Sequence, residues 1–290
     1  MSKILRQCSY LLPYGLVRML RHANELVQLY RARQQGHWGL PERRHDRCLI
    51  VAGGPSVNEV YDEMLEYRKY LDVVTVNMNI LKEALLTLNP MMHICIDPCF
   101  NNPEAKNWEI CLKVYEKLNS FSTKCYLCVT HDMYKGIKER ITNENIEIIS
   151  LSIYTYSGSE KIGKRLLPKG LVSFGGQNVV VAALYMALMM GYEKIFLAGL
   201  DMDEEYSVDE NCTIYRNYKH FYDKTRTAHQ DYLLDFHLAP LARMYEELSR
   251  AQQYAKRKGV EIINLSRQSS VDIFCKGELN GKVYPFKPPV

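Results

Sequence analysis

Two glycine-rich turns in this sequence have residue types suited to binding a phosphate. The first follows the apolar run Leu-Ile-Val-Ala and consists of Gly-Gly-Pro-Ser at residues 53–56, here named the Gly-Pro-Ser turn. It predicts free backbone N–H groups at the carboxyl end of a strand, where α/β proteins hold phosphates. It matches neither Gly-x-Gly-x-x-Gly nor a loop closed by Gly-Lys-Ser/Thr. A plain strand-to-helix turn with Ser56 as the helix cap therefore stays open.

The second turn lies in Ser-Phe-Gly-Gly-Gln-Asn at residues 173–178, and its residues 175–177 are named the Gly-Gly-Gln turn. It leads into a long apolar helix, so it predicts another helix N-terminus facing a phosphate or carboxylate. Simple capping by Ser173 is the alternative. A strand after this helix ends in Asp201 and Asp203, whose oxygens suit Mg²⁺ or Mn²⁺ on a diphosphate. Two glutamates follow, so a solvated acidic loop stays open.

A polar segment at residues 203–240 is rich in tyrosine and histidine. Tyrosine hydroxyls can donate to a leaving phosphate, and a histidine near neutrality can remove a proton from an acceptor hydroxyl. Because such a long polar insertion directly follows a buried strand, we expect a lid. Its candidate residues are Tyr206, Tyr215, Tyr218, His220, Tyr222, His229, Tyr232 and His237.

An alternation of strands and helices must position these residues. Apolar, β-branched runs predict strands at 48–52, 73–76, 93–96, 124–129, 146–150, 195–199 and 260–265. Helical spacing predicts helices at 59–70, 81–88, 108–118, 177–190 and 241–258. The alternation predicts an α/β fold, a mostly parallel sheet with helices on both faces. Ligands bind beyond the carboxyl ends of such strands. Polar residues at those ends are Asn77, Asn79, Asp97, His131 and Asp132.

Composition sets the broad class of the protein. The chain has 290 residues, 47% hydrophobic and 24% charged, which is typical of a soluble globular protein. A net charge of +4 does not call for nucleic acid as a partner. Several of the nine cysteines lie inside apolar runs, so unpaired thiols in a cytoplasmic protein are expected. The Cys125–x–x–Cys128 pair lies in a predicted strand, which disfavours a zinc site.

Residues 1–45 differ in character from the rest and predict a basic amphipathic helix pair, broken at Pro13 and Gly15. No apolar run is long enough to span a membrane. Residues 1–35 could nevertheless lie on an anionic membrane surface, which would make the protein peripheral at the inner membrane. Packing against the body or against a second subunit is the alternative, so a homo-oligomer also stays open.

The order of these motifs resembles the Campylobacter-type bacterial sialyltransferases, over roughly residues 48–270. The resemblance rests on residues 49–56, the strand ending at Asn77, the Gly-Gly-Gln turn and Gly-Tyr-Glu-Lys-Ile-Phe-Leu-Ala-Gly-Leu-Asp at 191–201. It implies a modified Rossmann, GT-A-like transferase domain at residues 46–290. That domain would move a sialic-acid-like sugar, a nonulosonic acid or Kdo, from a CMP-activated donor to a glycan or glycolipid of the bacterial surface. No metal or further cofactor would be required.

The resemblance also implies roles for single residues. His237 would be the general base, and Tyr206 or Tyr215 would assist the departing phosphate. Gly53 stands where that family commonly has Asn, and Phe-Gly-Gly-Gln replaces its Ser-Gly pair, so the donor sugar stays open. The donor contacts would come from Gly53, Gly54, Ser56, Asn77, Ser173, Gly175, Gly176 and Asp201.

A second family shares the Gly-Pro-Ser turn and the strand ending in Gly-x-Asp. It comprises proteins related to hydroxymethylpterin diphosphokinase and to flagellin-glycosylation motility factors. This resemblance implies a diphosphate transferase, or a relative acting on flagellin, in which Asp201 and Asp203 hold Mg²⁺ or Mn²⁺. A non-catalytic nucleotide-binding scaffold subunit is the third interpretation.

Overall fold

The structure is a computed structural model that describes residues 14–156, 160–202, 205–208, 214–220, 223–230 and 234–284. The strands are β1 (Arg47–Val51), β2 (Asp72–Val76), β3 (Met92–Cys95), β4 (Cys125–Thr130), β5 (Ile146–Leu151), β6 (Lys194–Ala198), β7 (Glu205–Val208), β8 (Ile214–His220), β9 (Asp223–Gln230), β10 (Glu261–Asn264) and β11 (Cys275–Lys276). The helices are α1 (Tyr14–Gln35), α2 (Val57–Tyr67), α3 (Glu83–Leu86), α4 (Trp108–Asn119), α5 (Tyr134–Lys138), α6 (Glu160–Leu166), α7 (Val179–Met190) and α8 (Leu234–Lys258).

The main sheet has eight strands in the order β11-β10-β6-β1-β2-β3-β4-β5. Its pairings are parallel, for example Cys48 with Asp72 of β2 and with Ile195 of β6. The predicted α/β, Rossmann-like fold is therefore confirmed. From β1 the chain runs outward through β2 to β5 and then returns to the other side of β1 with β6. The strand order thus reverses between β1 and β6, and ligands of doubly wound sheets bind outside such a switch point.

Alternating residues of β1 explain why both faces of the sheet are covered. Cys48 and Ile50 belong to the core cluster around α7, whereas Leu49 and Val51 belong to the cluster beneath α2. Helix α7 has no polar face, and its residues from Val180 to Leu188 are all buried. A helix that is apolar on all sides requires partners around it. Here the sheet and α8 supply them.

The C-terminal third differs from the prediction in two elements. Helix α8 begins at Leu234, seven residues before the predicted start, and contains Pro240. Within the predicted lid, β7, β8 and β9 form an antiparallel sheet of their own. No strand was predicted there because these segments lack aliphatic runs, although they contain tyrosine and threonine. Both residue types favour strands.

The described part of the N-terminal segment is the single helix α1, and the first helix of the predicted pair lies outside the described residues. Gly15 lies inside α1, so the break predicted at that residue is wrong, and Pro13 lies outside the described part. The end of α1 is fastened to the body, because the Ser150 N–H donates to the His37 carbonyl at 2.6 Å. Trp38 also stacks on Tyr185 of α7. Among the described helices, none has the length and apolar character needed to cross a bilayer.

Candidate functional site

The Gly-Pro-Ser turn lies at the switch point and is joined to the loop after β6. The Ala52 N–H donates to the Ala198 carbonyl at 2.8 Å, and the Gly54 N–H donates to the Gly199 carbonyl at 2.9 Å. The ladder between β1 and β6 therefore continues past both strand ends. The two loops leave the sheet side by side, which brings residues 53–56 and Asp201 to one place.

A buried carboxylate fills the position at which the sequence predicts a phosphate. Asp201 accepts a hydrogen bond from the Ser56 N–H at 2.9 Å and another from the Ser56 hydroxyl. The Ser56 and Ser266 hydroxyl oxygens are also only 2.6 Å apart. Ser56 makes no side-chain cap to α2, so the capping interpretation is wrong. The expectation of free N–H groups is also wrong at Gly54 and Ser56, because internal acceptors satisfy both.

Two glycines allow this close approach. A Cβ on Gly54 would collide with the Asp201 carboxylate and would lie 2.6 Å from the Gly199 carbonyl oxygen. Gly199 has φ +75°, and a Cβ there would lie 2.8 Å from the Ala52 carbonyl oxygen. Neither position accepts a larger residue without moving backbone. Gly53, in the same turn, is half-buried.

Asparagines after β2 complete this edge of the sheet. The Asn79 amide donates to the carbonyls of Val51 and Ala52, at 2.9 and 2.7 Å, and so fixes the end of β1. Asn77 has φ +46°, a left-handed conformation that asparagine tolerates better than most residues. Its buried Oδ1 has no hydrogen-bond partner among the described residues. Asn77 therefore combines a left-handed backbone conformation with an Oδ1 that accepts no hydrogen bond from the described residues, next to the switch point.

The Gly-Gly-Gln turn also holds an internal carboxylate. Glu247 of α8 accepts a hydrogen bond from the Gln177 N–H at 2.9 Å, and a Cβ on Gly175 would overlap the Glu247 side chain. Burial raises the pKa of Glu247, while hydrogen bonds from the backbone of Gln177 and Gly176 oppose the rise. Asn178, not Ser173, caps α7, since the Asn178 side chain accepts from the Val180 N–H.

Contacts of the loop after β6 and of α8 connect the two turns. The Asn178 amide lies 3.9 Å from the sulfur of Met202, the residue after Asp201. From α8, Tyr245 donates to the Ser270 carbonyl at 3.2 Å, and the Ser270 N–H donates to the Asp201 carbonyl at 3.0 Å. Helix α8 therefore links the loop that carries Asp201 to the turn that Glu247 occupies. Together they form one candidate site with two carboxylates.

A comparison with protein families now bears on this site. The family model described as 6-hydroxymethylpterin diphosphokinase MptE-like matches residues 19–207, about two thirds of the chain. The chain belongs to the MptE-like family. Of the two resemblances in the sequence, this match supports the diphosphokinase-related one, and the likeness to sialyltransferases stays a prediction. A search of curated proteins gave no match.

The region that the MptE-like model matches contains part of the candidate site. It contains both glycine turns, Asn77 and Asp201, and it ends within β7. Glu247 and Ser266 lie beyond it. The first carboxylate of the site thus belongs to the matched region, whereas the second comes from the part of the chain that follows it.

Other predicted site residues of this MptE-like chain are not joined to the two turns. Asp97 caps a 3-10 helix by accepting from the Cys99 N–H at 2.9 Å. His131 is buried between the Ser150 hydroxyl and the Gly170 carbonyl, and burial lowers its pKa. Both follow strands that are at least two positions from β1 in the sheet. Their roles are structural in the described contacts.

The candidate side chains of the predicted lid lie outside the described part of the chain. Tyr206 and Tyr215 lie on the paired strands β7 and β8, where Ser207 is opposite Tyr215. His237 lies in the first turns of α8. The side chains of these three residues, and Asp203 as a whole, lie outside the described part of the chain. Their assignments stay predictions.

His93 is fully buried within β3, where it is paired with Thr75 of β2. Its Nδ1 lies 2.8 Å from the Thr75 hydroxyl, and burial lowers its pKa to about 3, opposed only by the backbone of Asn77. The unfolded chain, with a histidine pKa of about 6.5, binds this proton more readily. Stability should therefore be unaffected above pH 6.5 and should fall as the pH drops from 6.5 towards 3.

Lowering the pH from 7 to 5 should reduce the free energy of unfolding of the wild type by about 2 kcal/mol because of His93. Urea unfolding at both pH values should show that His93→Gln does not undergo this loss of unfolding free energy. His37→Gln changes an exposed histidine and serves as the control. An equal pH dependence in the wild type and His93→Gln would contradict the burial argument.

Proposed function

We propose that this chain is a nucleotide-dependent transferase that moves a diphosphate group from a nucleoside triphosphate to the hydroxyl of an acceptor. The proposal takes up the reaction in the name of the family model. Its main support is the position of the Ser56–Asp201 pair at the switch point between β1 and β6, inside the matched region. That edge is where doubly wound sheets bind nucleotides.

The occupied turns favour a metal-dependent reaction over a metal-free one. The N–H groups of Gly54 and Ser56 already have acceptors, and two carboxylates, Asp201 and Glu247, lie at the site. A phosphate brought beside these carboxylates would be repelled, because like charges about 4 Å apart repel by several kcal/mol at an effective dielectric constant near 20. A divalent cation bound by both a carboxylate and a phosphate removes that repulsion.

Asp201 fits such a cation. Each of its oxygens accepts one hydrogen bond from Ser56 and keeps a further lone pair. Mg²⁺ carried by a nucleotide needs only one or two protein carboxylates besides phosphates and water. Among the described residues no group of three His, Cys, Asp or Glu is placed to hold a metal, so the substrate would supply the remaining ligands. When bound, Mg²⁺ would neutralise charge on the diphosphate.

Glu247 is the group in the site best suited to take the acceptor proton. The acceptor oxygen would attack the β-phosphorus, the bond from that phosphorus to the α–β bridging oxygen would break, and nucleoside monophosphate would leave. The hydroxyl proton would pass to the Glu247 carboxylate. A raised pKa makes a carboxylate a stronger base near neutrality, and burial raises that of Glu247. Asn77, with its unpartnered Oδ1, could accept a hydrogen bond from an amino group of the substrate.

Transfer of a sialic-acid-like sugar from a CMP-activated donor to a glycan or glycolipid is the second candidate function. It is favoured by one observation: the residues behind that resemblance, Asn77, the Gly-Gly-Gln turn and Asp201, belong to the same carboxyl edge of the sheet. In this reaction Tyr206 or Tyr215 would assist the leaving CMP, and His237 would be the base. A scaffold that only binds nucleotide is the non-enzymatic alternative.

Nucleotide binding with and without metal separates these functions. Thermal shift assays would use ATP, CMP, CDP, UDP and GDP, each with Mg²⁺ or with EDTA. For diphosphate transfer we expect ATP with Mg²⁺ to raise Tm by about 5 °C at a hundredfold excess over Kd, and ATP with EDTA to have little effect. Stabilisation by CMP regardless of Mg²⁺ would instead favour sugar transfer.

A direct assay completes the test. Incubation with ATP, Mg²⁺ and 6-hydroxymethylpterin should release AMP in equal amount to a diphosphorylated pterin, as measured by anion-exchange chromatography. AMP release without this product would mean that water takes the diphosphate, and it would exclude the pterin as the acceptor. Nucleotide binding without turnover on any hydroxyl acceptor would favour the scaffold.

A further inference from the structure

Helix α1 has an apolar face that the described part of the body does not cover. Leu16, Met19, Leu20, Val27 and Tyr30 recur at intervals that place them on one side of a helix. All five are exposed, Met19 at 61% and Tyr30 at 59%. A row of large apolar side chains along four turns of helix marks an interaction surface.

Other residues of the same segment contact the body of the protein. His22 lies against Tyr156 with ring centroids 5.8 Å apart, and the chain after α1 packs through Trp38 on Tyr185. Gly36 is so close to Ser150 that a Cβ there would overlap its hydroxyl. The helix is therefore held on the body while its apolar row points away from it.

Charge indicates the occupant of this face. Residues 1–35 contain six Lys or Arg and one Glu, a net charge of +5, whereas the whole chain carries +4. The excess positive charge of the protein thus resides in this segment. A second copy pairing through the same face would bring like charges together, whereas an anionic bilayer surface complements them.

We propose that α1 docks this protein on an anionic membrane surface, with the row Leu16, Met19, Leu20, Val27 and Tyr30 entering the headgroup boundary and the arginines attracting acidic lipid. The docking does not depend on the reaction proposed above. It would hold the nucleotide site beside a bilayer, where a lipid-linked acceptor would be within reach.

Vesicle flotation of the full chain tests the docking. Vesicles of phosphatidylcholine alone would be compared with vesicles containing 30% phosphatidylglycerol, in low and in high salt. We expect binding only with the acidic lipid and a marked loss in high salt, because salt screens surface charge. Equal binding to both vesicle types, or no binding to either, would overturn the proposal.

Two variants separate the apolar and the charged contributions. Met19→Glu combined with Val27→Glu should weaken vesicle binding at least about tenfold, since it removes apolar contact and adds repulsion. The matched control is Ile110→Glu with Leu112→Glu, which adds two charges to exposed positions of α4 and should leave binding unchanged. Arg18→Gln with Arg21→Gln leaves the apolar row intact and should weaken binding by about fivefold per arginine.

Size measurement by light scattering identifies the alternative occupant. We expect the wild type and the Met19→Glu, Val27→Glu variant to have the same mass in solution. A dimer that dissociates in this variant would overturn the membrane proposal and assign the face to a second copy. Circular dichroism and ATP binding would report whether each variant is folded. If the variant with Met19→Glu and Val27→Glu is unfolded, the vesicle binding of the variant with Arg18→Gln and Arg21→Gln tests the proposal.

Discussion

Replacing Asp201 with alanine is expected to lower the free energy of unfolding by about 2–4 kcal/mol. The reason is that Asp201 accepts from both the N–H and the hydroxyl of Ser56, which are buried at the junction of β1 and α2. A buried donor left without an acceptor costs about 1–3 kcal/mol. Because the loss displaces the Gly-Pro-Ser turn, binding of ATP with Mg²⁺ should weaken as well.

Urea unfolding and ATP titration would measure these two effects. Asp272→Ala is the matched control, since Asp272 is exposed and lies on the neighbouring loop; its change in stability should stay within about 0.5 kcal/mol. Ser56→Ala should cost less than Asp201→Ala, because the Ser56 N–H keeps its acceptor. If Asp201→Ala is as stable as the wild type, the hydrogen bonds at the switch point do not hold the turn.

The parallel sheet could be predicted from the sequence because its strands are buried on both faces. Such strands read as short apolar runs, and each of the seven predicted runs forms a strand of the main sheet. Strand β11 has only two residues, Cys275 and Lys276, which is too short for any pattern. Strands β7 to β9 are polar, and the residues in them that favour a strand are their tyrosines and threonines, which form no apolar run.

The positions of the two turns were also predictable, but the groups that fill them were not. Both predicted glycine turns directly precede a helix, α2 or α7, and only the first directly follows an apolar strand. The acceptors that fill them come from far along the chain: Asp201 is 145 residues from Ser56, and Glu247 is 70 residues from Gln177. No local pattern reports such a pairing. A single sequence therefore indicated anion-binding turns without showing that the anions are the protein's own carboxylates.

Glu247 is consequently the residue on which the proposed chemistry depends most directly. Glu247→Gln removes the proton acceptor and keeps nearly the same shape, and the glutamine Oε1 can still accept from the Gln177 N–H. We expect kcat to fall by about 10²–10⁴-fold, the usual contribution of a general base, while Kd for ATP with Mg²⁺ changes little. Steady-state kinetics with a nucleotide titration would measure both.

Glu246→Gln is the matched control, because Glu246 precedes Glu247 on α8, is 61% exposed at its side chain and pairs with Arg250. It should leave kcat unchanged. The pH profile distinguishes a base from a positioning residue. Burial raises the pKa of Glu247, so the wild-type kcat/KM should climb through a pKa above that of an ordinary glutamate as the carboxylate ionises. This acidic limb should vanish in Glu247→Gln. If the limb persists with kcat merely scaled down, Glu247 only shapes the Gly-Gly-Gln turn, and the proton is taken by another group, with His237 the first to test.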